Sequence, residues 1–262
     1  MFDFHMHSRV SFDGHDTGKA LAEAALSRGL KEICFTDHLD YDPLGQMGKL
    51  DFDTNAYNAE YDALEIPGLL IRRGMEFGMD EHNVAQFQQD LQRRPFDFVL
   101  GSIHFVDDLD VYYPEFWQGK TVFQAERRYL EATLETVKLH DDFDVLAHLT
   151  YIGKTTAHPA PRCVSYEEHR LIVDEILRTL VRKEKGLEMN TNGVDRCGGF
   201  LPTADYFRRF QELGGRIITV GSDAHRCDRV GQYSFEACQV LKDIFGYVCT
   251  FEGRNPIFHN FP

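Results

Sequence analysis

An α/β fold built on a parallel sheet, open or closed into a barrel, is what this sequence predicts. Short apolar runs alternate with longer amphipathic stretches, the pattern of buried strands separated by helices. The 262 residues are 43% hydrophobic and 13% aromatic, enough for a large core. That length suits one barrel or two small domains, and no internal repeat, low-complexity tract or Pro/Ser-rich linker divides it.

The elements follow in order. Residues 2–5 read as a strand. Residues 17–28 (TGKALAEAALSR) read as a helix, with Thr17 as its cap, Ala and Leu at helical spacing, and Gly29 as its stop. Strands are expected at 32–36, 69–75, 96–100, 143–147, 187–190 and 216–220, with a last one at 247–251. Helices are expected near 81–93, 122–140, 166–185 and 204–213. Three stretches break the rhythm, at 39–53, 106–119 and 152–164. Each follows a strand, and loops that long in a compact domain usually serve as lids or substrate loops.

Composition narrows the function. A formal net charge of −14 repels a nucleic-acid backbone over most of the surface, so no nucleic-acid partner is expected. A small phosphorylated substrate stays open, because divalent cations in one cleft reverse the local sign. The opening MFDFHMH carries neither a basic n-region nor an apolar h-region, and no long apolar run follows, so no membrane partner is expected. The six cysteines are scattered without a CxxC pair, as in a cytoplasmic protein with reduced thiols.

Chemistry concentrates at strand ends. His5 and His7 are two apart, so on a strand and its extension both imidazoles reach one side. Alone, such a pair fits surface or core histidines equally well. The recurrence is what points to a site: His38 closes CFTDH, Glu76 ends IRRGME, His104 follows FDFVLGS, His148 ends FDVLAH, and Asp223 and His225 follow IITVGS. Six of twelve histidines thus lie at or just beyond the C-terminal end of an expected strand, the face where parallel barrels build active sites. Imidazoles mixed with carboxylates suit zinc, iron or manganese better than magnesium. Without a GKS/T loop, a Ser-His-Asp order or a nucleophilic Cys motif, the expected attacking group is a metal-bound hydroxide. His82, His140, His169 and His259 read as structural or solvated, His158 as more open, and Asp37 as a supporting carboxylate.

The ordered set His5-Met6-His7-Ser8, Thr36-Asp37-His38, Gly74-Met75-Glu76, Gly101-Ser102-Ile103-His104, His148 and Gly221-Ser222-Asp223-Ala224-His225 resembles the polymerase-and-histidinol-phosphatase (PHP) family over residues 5 to 225. The resemblance implies a distorted (β/α)7 barrel over 1–262 as a single domain, with up to three divalent metal ions. By that likeness His5, His7, Glu76 and Asp223 hold the first metal, Glu76, His104 and His148 the second, and His38 and His225 the third with a residue from the loop after His7. Many members carry a histidine six residues past HxH. Here Asp13 stands there and His15 lies two further on; spacing favours Asp13. Glu76, Asp223 and His225 are expected to be catalytic as well as ligating.

The run Leu187-Glu188-Met189-Asn190-Thr191-Asn192-Gly193 is similar to the stand-alone histidinol-phosphatase branch. It implies a small phosphate ester as substrate, L-histidinol phosphate, with Arg162 and Arg196 gripping the phosphate. Tyr41, Phe105, Trp117 and Tyr151 are further candidates for the pocket wall. The alternatives are another sugar or nucleotide phosphoester, a non-catalytic metal-binding protein, and an amidohydrolase; the last lacks its ligating strand-end lysine. Oligomeric state is left open.

Overall fold

The computed structural model describes residues 1–45 and 50–261. Part of the first long loop, 46–49, therefore lies outside the described residues. Seven strands form one parallel sheet in chain order: β1 (Phe2–Asp3), β2 (Glu32–Phe35), β3 (Leu70–Gly78), β4 (Phe98–Ser102), β5 (Val145–Leu146), β6 (Gly186–Asn190) and β7 (Ile218–Gly221). Its two edges then meet. Phe4 N donates to Val220 O at 2.9 Å, Asp223 N to His5 O at 2.8 Å, and His7 N to Ala224 O at 2.8 Å. The closed ring is the (β/α)7 barrel that the PHP resemblance implies.

The barrel is distorted where β2 breaks. After Phe35 the chain leaves the ladder, Glu76 N donates to Asp37 O, and His38–Leu39 re-pairs with Glu76–Phe77 of β3. That offset sets His38 directly beside Glu76. The interior is plugged by Phe4, Cys34, Phe98, Leu100, Val145, Ala147 and Phe251, while the larger core lies between sheet and helices.

The helices longer than one turn are α1 (Gly18–Ser27), α2 (Thr54–Tyr61), α3 (Val84–Asp90), α4 (Val122–Leu139), α5 (Arg170–Arg182), α6 (Ala204–Glu212) and α7 (Ser234–Phe245) among the described residues. Thr17 caps α1 through Ala20 N at 3.2 Å, and Gly29 ends it at φ 76°. Thr121 and Gln124 form a capping box on α4. Two helices go beyond the sequence expectation. In α2 only Tyr57 and Tyr61, one turn apart, are buried, and its Asn-rich remainder carries a weak helical signal. In α7, Ala237, Cys238 and Leu241 pack inward.

The expected last strand, β8 (Tyr247–Glu252), turns back antiparallel as β9 (Asn255–Asn260) and does not join the barrel. It carries Phe251 into the barrel interior against Phe98, centroids 4.7 Å apart. Arg254 N bonds Asp97 O, just before β4, so the hairpin seals the end where the strands begin. Chemistry is left to the opposite rim. Among the described residues no helix is long and apolar enough to cross a membrane.

Candidate metal centre

The strand ends bring His5, His7, His38, Glu76, His104, His148, Asp223 and His225 together. All of them except His225 are buried. Nε2 of His5 and Nε2 of His7 stand 3.0 Å apart. Around them lie Glu76 Oε2, at 3.2 and 3.4 Å, and Asp223 Oδ1, at 3.7 and 3.5 Å. On the other side of Glu76, Oε1 is 2.7 Å from His148 Nε2 and 3.5 Å from His104 Nε2. His38 Nδ1 is 3.0 Å from Glu76 Oε2. The Glu76 carboxylate therefore faces five imidazoles at once.

Outer hydrogen bonds decide which nitrogen each ring presents. His5 Nδ1 meets Glu188 Oε1 at 2.6 Å, His7 Nδ1 meets Ser11 Oγ at 3.2 Å, His104 Nδ1 meets Asp40 Oδ1 at 2.9 Å, and His225 Nδ1 meets Asp223 O at 3.0 Å. Each Nδ1–H donates outward, which leaves the Nε2 lone pair facing in. Two imidazole lone pairs 3.0 Å apart repel unless a cation or proton lies between them. This is the arrangement of a metal centre, and groups of three donor atoms lie within 4.8 Å of one another at His5/His7/Asp223, His5/Glu76/His148, His7/His38/His225 and His38/Asp40/His104.

Electrostatics agree. Burial disfavours the Glu76 and Asp223 charges, yet both pKa values lie well below the ordinary carboxylate range, Glu76 through His5 and His38, Asp223 through Lys154 and His5. Burial likewise opposes a charge on His104, but Asp40 carries its pKa up to about 10. His7, buried among His38 and His225, falls well below its usual value. The carboxylates thus stay ionised and hold positive charge around them, as cations would supply. Asp223 sits at φ 54° and His148 at φ 22°, backbone conformations rare for residues other than glycine and characteristic of strained functional positions. At Gly221 an added Cβ would lie 2.2 Å from Glu188 Oε1 and 2.3 Å from His5 Cβ, so only glycine admits the Glu188–His5 bond.

Asp13 Oδ2 is 3.1 Å from His225 Nε2 and 3.7 Å from His38 Nε2. His15 is exposed at the cleft rim. Asp37 is buried beneath, accepting from Ser8 N at 2.8 Å, Ser11 Oγ at 2.8 Å and Tyr61 OH at 2.5 Å. Burial raises its pKa to about 6 against those bonds. It anchors Ser11, which in turn orients His7.

The centre forms the floor of a cleft of about 470 Å³, walled by Phe12, Phe105, Asp110, Tyr151, Lys154 and Arg196 among others. Arg196 reaches it, donating to Thr155 O at 3.4 Å. Arg162 does not, which corrects the sequence expectation. Its guanidinium forks onto buried Glu126, at 3.0 and 2.7 Å, and onto Glu168 at 2.6 Å. A carboxylate buried in α4 demands a paired charge, and the Arg162 fork supplies it. Of the aromatic candidates, Phe105 and Tyr151 line the cleft. Tyr41 bonds Asp90 instead, and Trp117 Nε1 bonds Val111 O at 2.9 Å.

Sequence reasoning passed over Lys154, whose Nζ is 2.6 Å from Asp223 Oδ2. Its signal was position alone, in a 3-10 turn (Tyr151–Lys154) just past His148. Asp40 and Glu188 were also missed, although Asp40 lies two residues past His38, the spacing of His5 and His7; Glu188 has no such neighbour. His140, His169 and His259 bond Asp80 O, Glu126 and Thr250, away from the cleft, and His158 packs on Trp117.

The PHP domain family matches over residues 3–192. The chain belongs to the PHP domain family. It is 33% identical over 258 residues to a histidinol-phosphatase of Lactococcus lactis subsp. lactis, covering 96% of this chain and 94% of the relative. It is 32% identical over 238 residues to a probable histidinol-phosphatase of Clostridium acetobutylicum, covering 88% and 89%. A crystal structure of the histidinol phosphate phosphatase from Lactococcus lactis, complexed with zinc, L-histidinol and phosphate, superposes with a TM-score of 0.81 at 31% identity over 98% of each chain. The PHP barrel is thus shared with a relative solved as a zinc complex.

Proposed function

We propose that this PHP-family chain, read as a single domain over 1–262, is a metal-dependent phosphatase that hydrolyses L-histidinol phosphate to L-histidinol and phosphate, a step of histidine biosynthesis. One observation carries the reading: imidazoles with inward Nε2 lone pairs surround Glu76 on the rim of a barrel whose fold is shared with a 31% identical relative solved with zinc, L-histidinol and phosphate. His5, His7, Glu76 and Asp223 would hold a first divalent cation, Glu76, His104 and His148 a second, and His38, His225 and Asp13 a third. Zinc is the ion of the solved relative, and the donor set also accepts iron and manganese. When bound, such cations supply water ionised at neutral pH and neutralise charge on a phosphoryl group.

The chain's own residues do the rest. Lys154 and Arg196, the cations on the cleft wall, bind and orient phosphate oxygens; an arginine fork matches two of them. Glu188, Ser11 and Asp40 hold three ligand rings in register. Tyr151, over which Lys154 lies with Nζ 5.0 Å from the ring centroid, keeps the amine directed across the cleft. Scattered free cysteines fit a cytoplasmic enzyme, and the acidic chain fits a small-molecule substrate rather than a nucleic acid.

The test is phosphate release from L-histidinol phosphate beside sugar phosphates and nucleotides, with protein loaded separately with zinc, manganese or iron. A preference for L-histidinol phosphate that chelation abolishes is the expected result. Preference for another ester overturns the substrate, and no turnover by metal-loaded protein overturns the phosphatase reading.

A further inference from the structure

The cleft is chemically two-ended. Arg196 follows β6 and Lys154 follows β5, so one end is cationic. The loop after β4 supplies the other end: Phe105, Asp110, Tyr112 and Tyr113. β5 lies between β4 and β6, so those two strand ends stand roughly 10 Å apart. That span suits a ligand with a phosphate at one end and a different group at the other.

Asp110 is the acidic group of that second end. It sits in a short hairpin, paired with Phe105, and its neighbour Val111 N donates to His104 O at 3.0 Å. Tyr112 N donates to Asp110 Oδ1 at 2.7 Å and fixes the carboxylate. Among the described residues no lysine or arginine pairs with it. Its half-buried setting adds a desolvation cost, which the Tyr112 N–H bond and nearby His104 oppose and the charges of Asp40 and Asp42 add to, so that the pKa lies above the ordinary carboxylate value. An unpaired carboxylate at the edge of aromatic rings is a favourable seat for a cation, through a charge-assisted hydrogen bond and the ring faces.

We propose that Asp110 is the specificity-determining residue of the cleft, its carboxylate receiving the cationic amine of the alcohol half of the substrate while Lys154 and Arg196 hold the phosphate. This rests on the phosphatase reading above and assigns the residue that selects a phosphate monoester of an amino alcohol over an uncharged one. Phe105 and Tyr113 flank the cation and its ring. The reaction leaves Asp110 unchanged, since it binds the part of the substrate that takes no part in bond breaking.

The experiment compares wild type with Asp110→Asn and Asp110→Glu on L-histidinol phosphate, O-phosphoethanolamine and glycerol 3-phosphate, with metal content measured on each preparation. The expected result is a fall of about 10- to 100-fold in the preference of Asp110→Asn for the two cationic esters over glycerol 3-phosphate, partly restored in Asp110→Glu. An equal loss on all three esters means that Asp110 acts through His104 on the metal centre, and overturns the proposal. An unchanged preference overturns it too. Wild type that ignores L-histidinol phosphate but prefers O-phosphoethanolamine overturns the substrate reading and leaves Asp110 supported. Calorimetric titration with L-histidinol gives a readout free of turnover: its affinity must drop at least tenfold in Asp110→Asn, and equal affinity in both proteins sinks the idea.

Discussion

Glu188 Oε1 lies 2.6 Å from His5 Nδ1 across 183 residues of sequence, and the other oxygen of the same carboxylate accepts His148 N at 2.8 Å. One buried side chain of β6 thereby sets the tautomer of one ligand and the backbone of another. Glu188 touches neither substrate nor metal in the proposed arrangement, so it is a positioning residue. Glu188→Gln is expected to lower metal affinity about 10- to 100-fold. Metal titration with a competing chelator reads this, and excess metal should restore most of kcat. A variant that binds metal as wild type does would show that His5 needs no orienting partner.

Glu76 faces His5, His7, His38, His104 and His148 within 3.5 Å. Glu76→Gln removes the one charge shared by the proposed first and second ions. Metal bound per chain should fall by more than one ion, with turnover lost. Elemental analysis beside the phosphate assay checks it, and full metal content with full activity refutes the bridging assignment.

Arg162 and Arg196 separate the phosphate-binding role from the structural one. Arg196→Met is expected to lower kcat/KM by about 10- to 100-fold, the worth of a charged hydrogen-bonding fork, with an unchanged Tm. Arg162→Met should do the reverse, sparing kcat/KM and destabilising the fold by about 1–3 kcal/mol, because Glu126 keeps only His169 at 3.1 Å as a hydrogen-bonded partner. The linkage has a sign. Glu126 is buried, which raises its pKa, but His169 and Arg162 hold it below the ordinary value of 4.5. Its contribution is therefore present above about pH 4.5 and is lost as the pH falls below it. Thermal melts from pH 7 to pH 3 should show the Arg162→Met deficit shrinking at the acid end.

Phe251 closes the barrel floor. Phe251→Ala should cost about 3–5 kcal/mol, seen in urea unfolding, while the folded fraction keeps its metal and its kcat. Loss of metal at native conditions would mean that the hairpin supports the rim as well as the floor.

The strands, the Thr17 cap and the histidines and carboxylates at strand ends were legible in the chain, because each depends on local pattern: apolar runs, a helix signal, and polar residues at the ends of those runs. Helix α2 was not, since two tyrosines a turn apart are too few to mark a face. Nor was the departure of β8 from the barrel, for an apolar strand reads alike in a sheet or a hairpin.

By itself the sequence determined a parallel α/β sheet with histidines and carboxylates at its strand ends, since periodicity and residue type are one-dimensional facts, while closure into a barrel was implied only by the PHP resemblance. Only the tertiary structure decided which arginine faces the cleft, that Lys154 and Asp110 join it, and that Glu188, Asp40 and Ser11 orient the rings. Those roles depend on where closure of β1 against β7 and the break after β2 bring distant side chains. A hydrogen bond between residues 5 and 188 has no signature in the spacing of either.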